Sequence, residues 1–393
     1  MKFHSTTSQP AIDDHCDLRL TRPPTALARS IAPDRGMLNA YLDRICASAQ
    51  YSNFGPIHEE FARSVCNTLT ADHALLFTNA TLALTTVMRA ARIGGEVITT
   101  PFSFAASAHA ISWADAKPVF VDIDERTLTL DPRAVEAAIT ERTQAILAVH
   151  VYGTICDVKA LQAVAKKHGL FLIFDAAHAW DVRLDGVPVH RFGDATIYSL
   201  HASKLMHSGE GGVLVCNDTT IASLARRLQN FGIESDGSIN VPGSNGKLSE
   251  LHAALGLSVL PKVDAEKAKR RLLRETYVER LREFDWLQPI APTERATESL
   301  QYFALQVLSE QTEPANNRRD RLCAALAEVN VQSRKYFYPL CSDFPHYQST
   351  TTDSKRDLAV AQRAAQQALC LPFHSGVETH AIDQIVASAR RLN

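Results

Sequence analysis

AILAVHVY (145–152), DVKALQAVAKKHG (157–169) and LFLIFDAA (170–177) decide the fold. Two continuous apolar runs of strand length flank a segment of helical periodicity that ends on a glycine. A strand that is apolar on both faces has no side for water, so it belongs in a parallel sheet covered by helices above and below. Outward from this unit, HALLFT (73–78), EVITTP (96–101), KPVFVDID (117–124), ATIYSLHA (195–202) and GVLVCN (212–217) read as further strands. TLALTTVMRAARI (81–93), closed by Gly94-Gly95, and FAASAHAISWA (104–114) read as helices between them. Another helix starts at Asp131-Pro132, where Asp caps and Pro suits the first turn.

After about residue 218 the pattern changes. LSELHAALGLSVL (248–260) carries an i, i+3, i+4 stripe, and its continuation DAEKAKRRLLRETYVERLRE (264–283) alternates charge, which predicts one helical region from Lys247 to about Phe284. Beyond Trp286, strands are expected near YFALQVLS (302–309) and KYFYPL (335–340), with helices near 314–329 and 356–368. The expected organisation is a Pro-rich N-terminal arm and helix over 1–50, a large α/β domain over 51–260, a connecting helix over 261–285, and a small C-terminal α/β domain over 286–393.

Composition narrows the function. The chain has 393 residues, 46% of them hydrophobic, enough for a sizeable core. Its 41 Lys plus Arg against 43 Asp plus Glu, a net charge of −2, argue against nucleic acid or an anionic membrane surface as partner. No run approaches the roughly 18 apolar residues of a spanning helix, and MKFHSTTSQPAIDDHCDLRL has no apolar signal core, so the expected location is the cytoplasm. The eight cysteines form no CxxC and no zinc-like spacing, so reduced thiols and no metal are expected.

In an open parallel sheet, ligands bind beyond the carboxyl ends of the strands, and four segments fall there. Asn79-Ala80-Thr81 opens a helix, where amides and a hydroxyl can seat a phosphate or simply cap. Phe102-Ser103-Phe104 can stack on a flat ring or fill a core. Asp175-Ala176-Ala177-His178 delivers a carboxylate from an apolar strand, which calls for a cationic partner unless it caps a turn; no HExxH-like spacing supports a metal there. Ser199-Leu200-His201-Ala202-Ser203-Lys204, followed by Gly209-Glu210-Gly211-Gly212, offers a lysine that can form a Schiff base if its amine is kept neutral. Each segment alone has a bland reading. Jointly they supply aldehyde capture, ring protonation, ring stacking and phosphate anchoring, the four demands of pyridoxal 5'-phosphate (PLP).

At these residues the chain resembles the DegT/DnrJ/StrS family of PLP-dependent nucleotide-sugar aminotransferases. YSLHASKLMHSGEGG (198–212) is similar to that family's Schiff-base segment, FTNATLAL (77–84) to its phosphate loop, TPFSFAAS (100–107) to its stacking loop and FDAAHAW (174–180) to its pyridinium-binding strand end. GSNGKLSELHAALGL (243–257) resembles the segment that reaches the partner subunit's cofactor, and KYFYPL and ALCLPFHSG (368–376) resemble its C-terminal signatures. The resemblance runs from Asn53-Phe54-Gly55-Pro56 into the last lobe.

The resemblance implies an aspartate aminotransferase-like fold, a homodimer with sites at the interface, and a role for each residue. Lys204 would bind PLP and shuttle the proton, Asp175 would keep the pyridine nitrogen protonated, and His178 would sit at the phenolic oxygen, where many relatives have Gln. Phe104 would stack on the ring; Ala80, Thr81 and Ser199 would hold the phosphate, with Asn245 from the other subunit. His201, Lys247 and Tyr336 would face the substrate. The Asn-Ala-Thr loop, where Gly-Thr is common, and Lys247, where Arg is common, resemble a subgroup acting at C-4 of dTDP-4-keto-6-deoxyhexoses. The implied reaction moves an amino group from L-glutamate to such a sugar, as in deoxyamino-sugar and surface-polysaccharide (O-antigen) biosynthesis. Amination at C-3, a GDP- or UDP-linked sugar, and a non-catalytic regulatory relative are the alternatives. Relatives with His at the lysine position are dehydratases, and Lys204 speaks against that branch.

Overall fold

The computed structural model describes residues 23–309, 317–350 and 357–392. The first part of the expected arm, with Pro10 and Cys16, and the expected helix start near 314 lie outside them. Leu75–Phe77 (β1), Glu96–Thr99 (β2), Lys117–Phe120 (β3), Thr143–Val149 (β4), Phe171–Asp175 (β5), Ala195–Ser199 (β6) and Gly212–Cys216 (β7) form one sheet in the order β1-β7-β6-β5-β4-β2-β3. Only β7 runs antiparallel to its neighbours. The continuous apolar runs are explained by successive residues serving opposite faces. Ile146, Leu172 and Phe174 pack with Phe61, Val65 and Leu161 on one side. Leu147 and Ile173 pack with Leu84, Val87 and Met88 on the other.

A second, antiparallel sheet holds Leu287–Pro289 (β8), Phe303–Val307 (β9) and Ala368–Leu371 (β10) in that order. Helices Asn317–Glu328 and Thr379–Arg390 cover it through Leu322, Leu326, Ile385 and Val386. The segment from Pro23 to Asp34 crosses between the two sheets' territories. Thr25 bridges Val331, Leu27 accepts from the Phe373 amide at 3.1 Å, and Ser30 Oγ donates to the Ala202 carbonyl at 2.7 Å. No helix among the described residues is long and apolar enough to cross a membrane.

Three local expectations are corrected. KYFYPL is not a strand. Only the preceding Arg334 bridges Cys370, Pro339 has no N–H to give a ladder, and Phe337 turns into an aromatic cluster with Phe102 and Tyr152; the strand at that sheet edge is β10. Gly94-Gly95 does not end the preceding helix, which stops at Ala90. The two glycine amides instead both donate to Gln144 Oε1 at 2.8 Å. The helical region of 247–284 is broken into Glu250–Val259 and Val263–Leu281 by a tight turn at Leu260–Lys262 that contains Pro261, which cannot donate to the helical ladder.

Helix Pro56–Leu69 has no capping side chain of its own. Its cap comes from Glu250, nearly 200 residues on, whose buried carboxylate accepts from the Ile57 and His58 amides at 2.9 Å each. Removing it strands two buried helix-start donors. We expect Glu250→Ala to lower the unfolding free energy by about 2–4 kcal/mol, read by denaturant titration; a loss within about 0.5 kcal/mol, typical of an exposed site, would contradict this.

Candidate active site

Asp175 closes β5 at the middle of the large sheet, in register with Val149 and Ile197 of its neighbours. Its carboxylate is buried and accepts from Ser107 Oγ at 2.8 Å and from the Ala177 amide at 3.0 Å. Burial pushes the carboxyl's pKa up, while these two donors and the Lys204 charge pull it down. Both hydrogen-bonding donors are neutral, so a cation facing Asp175 has a strong reason to bind. Three residues on, His178 is buried, stacks on Phe337 (5.8 Å between centroids, 9°) and meets the edge of Tyr302 (5.0 Å, 85°). Burial, with the Lys204 and His150 charges, holds its pKa well below the ordinary value, and its Nδ1 has no hydrogen-bond partner.

Lys204 stands in the loop after β6. The Leu200 amide reaches Gly211 O, the Ala202 amide Gly209 O, and the Lys204 amide His201 O, at 2.7–2.8 Å. Its side chain keeps a partial opening to solvent. Burial pushes its amine down to about 8, against a smaller upward pull from Asp175. At pH 7 that leaves roughly a tenth of the amines neutral, against about three in ten thousand for an ordinary lysine.

The phosphate-binding candidates also converge. Phe77, Gly212 and Ser199 lie in register on three adjacent strands. Helix Ala80–Ala90 starts beside them, with Asn79 Oδ1 capping the Leu82 amide at 2.8 Å. The first amides, of Ala80 and Thr81, precede the helical ladder and face outward along the helix dipole. Gly212 allows this approach, because a Cβ there would lie 2.6 Å from the Ala80 nitrogen. The unpartnered His178 Nδ1, the buried carboxylate with only neutral hydrogen-bond donors and this cradle together fit PLP.

The remaining candidates lie around this centre. Phe104 is 60% exposed at the start of helix Ala105–Trp113, whereas Phe102 is core. His201 is exposed, with Nδ1 2.8 Å from Ser203 Oγ and Nε2 3.6 Å from Glu210. Tyr336 stacks on Phe337 at 5.0 Å. Lys247 bridges Phe77 and the Gly246 carbonyl accepts from the Thr78 amide at 2.8 Å, so this segment runs beside the phosphate cradle of its own chain, while Lys247 Nζ donates to Asn245 and Asn230 at 2.7 Å each and lies over the Phe231 ring. Among the described residues, no three His, Cys, Asp or Glu side chains gather as metal ligands. Sequence reading missed Ser107, Tyr302 and Phe337. Ser107 stood inside the quoted TPFSFAAS and Phe337 inside KYFYPL, whereas Tyr302, at the start of YFALQVLS, carried only a strand signal.

A lysine of lowered pKa, a buried carboxylate and a helix-start cradle at the C-terminal edge of this sheet make a site suited to PLP, and comparison with known proteins gives its class. The chain belongs to the DegT/DnrJ/EryC1/StrS aminotransferase family, which matches residues 34–390. It is 39% identical over 352 residues to the dTDP-4-amino-4,6-dideoxy-D-glucose transaminase of Shigella dysenteriae, covering 90% of this chain and 94% of that one. It is 36% identical over 356 residues to the enzyme of the same name from Escherichia coli, with the same coverage. Among solved structures it is similar to DesI, determined in the presence of its TDP-sugar product (34% identity, TM-score 0.88, 94% of this chain and 93% of DesI). PseC of Helicobacter pylori, an aminotransferase of pseudoaminic acid biosynthesis, superposes with TM-score 0.85 at 26% identity, covering 94% of this chain and 99% of PseC.

The lowered Lys204 pKa is directly testable. Labelling of the cofactor-free full chain with an amine-reactive reagent, followed peptide by peptide against pH, should place the Lys204 midpoint near pH 8, because the amine reacts only once it loses its proton. A midpoint near the ordinary lysine value would contradict the described surroundings.

Proposed function

We propose that this enzyme moves the amino group of L-glutamate to C-4 of a dTDP-linked 4-keto-6-deoxyhexose. The observation that carries the substrate is the 39% identity, over nine-tenths of the chain, to a dTDP-4-amino-4,6-dideoxy-D-glucose transaminase. Bound PLP supplies an aldehyde that accepts the amino group and a pyridinium ring that accepts electrons from the broken C–H bond. The protein's own part is positional and acid–base. Asp175, short of a cation, holds the proton at the ring nitrogen. Lys204, its amine pushed down to about 8, would take the proton from the donor carbon and return it to the cofactor carbon, and would reverse the order with the sugar. Neutral His178, whose Nδ1 has no partner, would meet the phenolic oxygen, Phe104 would cover the ring, and Ala80, Thr81 and Ser199 would hold the phosphate. His201 and Tyr336 face the sugar.

The active unit in this reading is a homodimer in which Asn245 and Lys247 of a second copy complete the site. Support comes from the exposed Phe231, Ile233 and Ile239 on the same segment. The seven described cysteines are unpaired, consistent with a reducing cytoplasm. A GDP-linked ketone is the second reading, favoured by 31% identity over 341 residues to the GDP-perosamine synthase of Caulobacter vibrioides.

The test is incubation with L-glutamate and a panel of dTDP-, GDP- and UDP-linked 3- and 4-ketohexoses, with the aminated carbon read by NMR. We expect kcat/KM to favour the dTDP-linked 4-ketone and kinetics to be ping-pong. Lys204→Ala should lose about 10⁴-fold or more and Asp175→Ala about 10²–10³-fold, with circular dichroism unchanged. Preference for the GDP sugar would transfer the assignment to it, and amination of no keto sugar would refute the reading.

A further inference from the structure

A four-residue segment immediately before β9 reaches into the catalytic centre. Gln301 is buried, and its side-chain amide meets the backbone on both sides of Lys204. Oε1 accepts from the Leu205 amide at 2.7 Å, and Nε2 donates to the Ser203 carbonyl at 3.1 Å. The partners fix the amide's orientation, since a backbone N–H only donates and a carbonyl only accepts. Next to it, the Tyr302 ring lies 5.9 Å from Lys204 Nζ while its edge meets His178. Two residues earlier, Ser299 Oγ donates to the His178 carbonyl. Gly153 makes that contact possible: its φ is +91°, and a Cβ there would collide with the Ser299 side chain.

The segment is itself anchored. Leu300 has a positive φ of 56°, unusual for a branched side chain. Its carbonyl accepts from Arg270 Nη1 at 3.1 Å. Arg270 is buried and paired with Glu266 at 2.8 Å on the long helix Val263–Leu281, and Glu266 also accepts from the Ser375 amide at 3.0 Å. β9 begins at Phe303 immediately afterwards, so the segment is tied at one end to the small sheet and at its middle to a buried ion pair.

We propose that Ser299-Leu300-Gln301-Tyr302 is the positioning element for both Lys204 and His178, with Gln301 its principal residue. The lysine side chain is long and flexible, so where its amine can go depends on how firmly its Cα is held. The Lys204 loop is also held by Ser30 on the Ala202 carbonyl and by the buried Leu205 and Met206, but these contacts do not bracket the lysine itself. One amide with a donor and an acceptor pins the carbonyl before the lysine and the N–H after it. Ser299 does the same for the backbone of His178. The small lobe thereby sets the geometry of the acid–base pair carried by the large sheet.

This inference rests on Lys204 being the cofactor-bearing amine. The groups facing that amine are Asp175, His178 and Tyr302. If the bracket is released, the loop relaxes toward water and the amine regains its solvation. The experiment is the pH-dependent labelling of Lys204 in the cofactor-free full chain of Gln301→Met, which keeps the length but neither hydrogen bond. The expected result is a midpoint raised by one pH unit or more, a tenfold smaller neutral fraction at pH 7. In the holoenzyme, kcat should fall tenfold or more with the KM for the keto sugar within twofold. A folded Gln301→Met protein with the wild-type midpoint and wild-type kcat would overturn the proposal. Should Gln301→Met fail to fold, Tyr302→Leu against Tyr302→Phe decides: Leu should shift the midpoint and Phe should not, and equal midpoints would overturn it. A wild-type midpoint at the ordinary lysine value would refute the assignment of Lys204 itself, a failure distinct from that of the bracket.

Discussion

The structure depends on one buried carboxylate. Asp175 ends the central strand of a sheet apolar on both faces, and its hydrogen-bonding partners are a serine hydroxyl and one backbone amide. Hydrogen bonds to a charged group return about 1.5–3 kcal/mol each, against an effective desolvation penalty of several kcal/mol. Lys204 does not close the gap fully, because the burial that raises the Asp175 pKa also lowers that of the lysine. Burial leaves the Asp175 pKa raised, and in the proposed function a protonated pyridine ring would be the cation that favours its ionised form. The same desolvation keeps His178 neutral and gives Lys204 a supply of free amine at neutral pH. Exclusion of water at the sheet's C-terminal edge thus lowers the His178 and Lys204 pKa values, whereas for Asp175 it works against ionisation and is opposed by Ser107, the Ala177 amide and the Lys204 charge.

Much of this was legible in the sequence because its signals are local. The apolar runs at 145–152 and 170–177 are strands buried on both faces, and Ile146 with Leu147 and Leu172 with Ile173 divide between two helical layers. Asp175, His178, Ser199 and Lys204 are legible as site candidates because they stand at or shortly after the ends of such runs. What failed was set by tertiary contact. The aromatics of KYFYPL suggested a strand, yet Phe337 packs on His178 and Tyr152, over 150 residues away. Gly94-Gly95 resembled a helix stop, but its amides serve Gln144. Gln301 and Ser299 sit about 100 residues from the backbone they hold, and a buried glutamine carries no periodic or motif signature. Glu250 capping a helix at residue 56 was invisible for the same reason.

The two sheets divide the work. The large one supplies the chemistry from its strand ends, while the small one supplies the segment that fixes where that chemistry points. The Pro23–Asp34 segment adds a brace, with Ser30 on the Ala202 carbonyl and the Ile31 carbonyl on His207. The lysine loop is thus held from both flanks while its glycines leave it open toward the substrate side. Such an arrangement lets loops that contact the sugar vary without disturbing the acid–base pair, in keeping with the different names borne by relatives of similar fold.

The most direct test of the central claim is the absorbance of the purified full chain before and after L-glutamate. The account predicts a visible cofactor band that glutamate shifts to shorter wavelength and that a dTDP-linked 4-keto-6-deoxyhexose restores. A protein that shows no band after incubation with PLP, or a band that glutamate leaves unchanged, would contradict it.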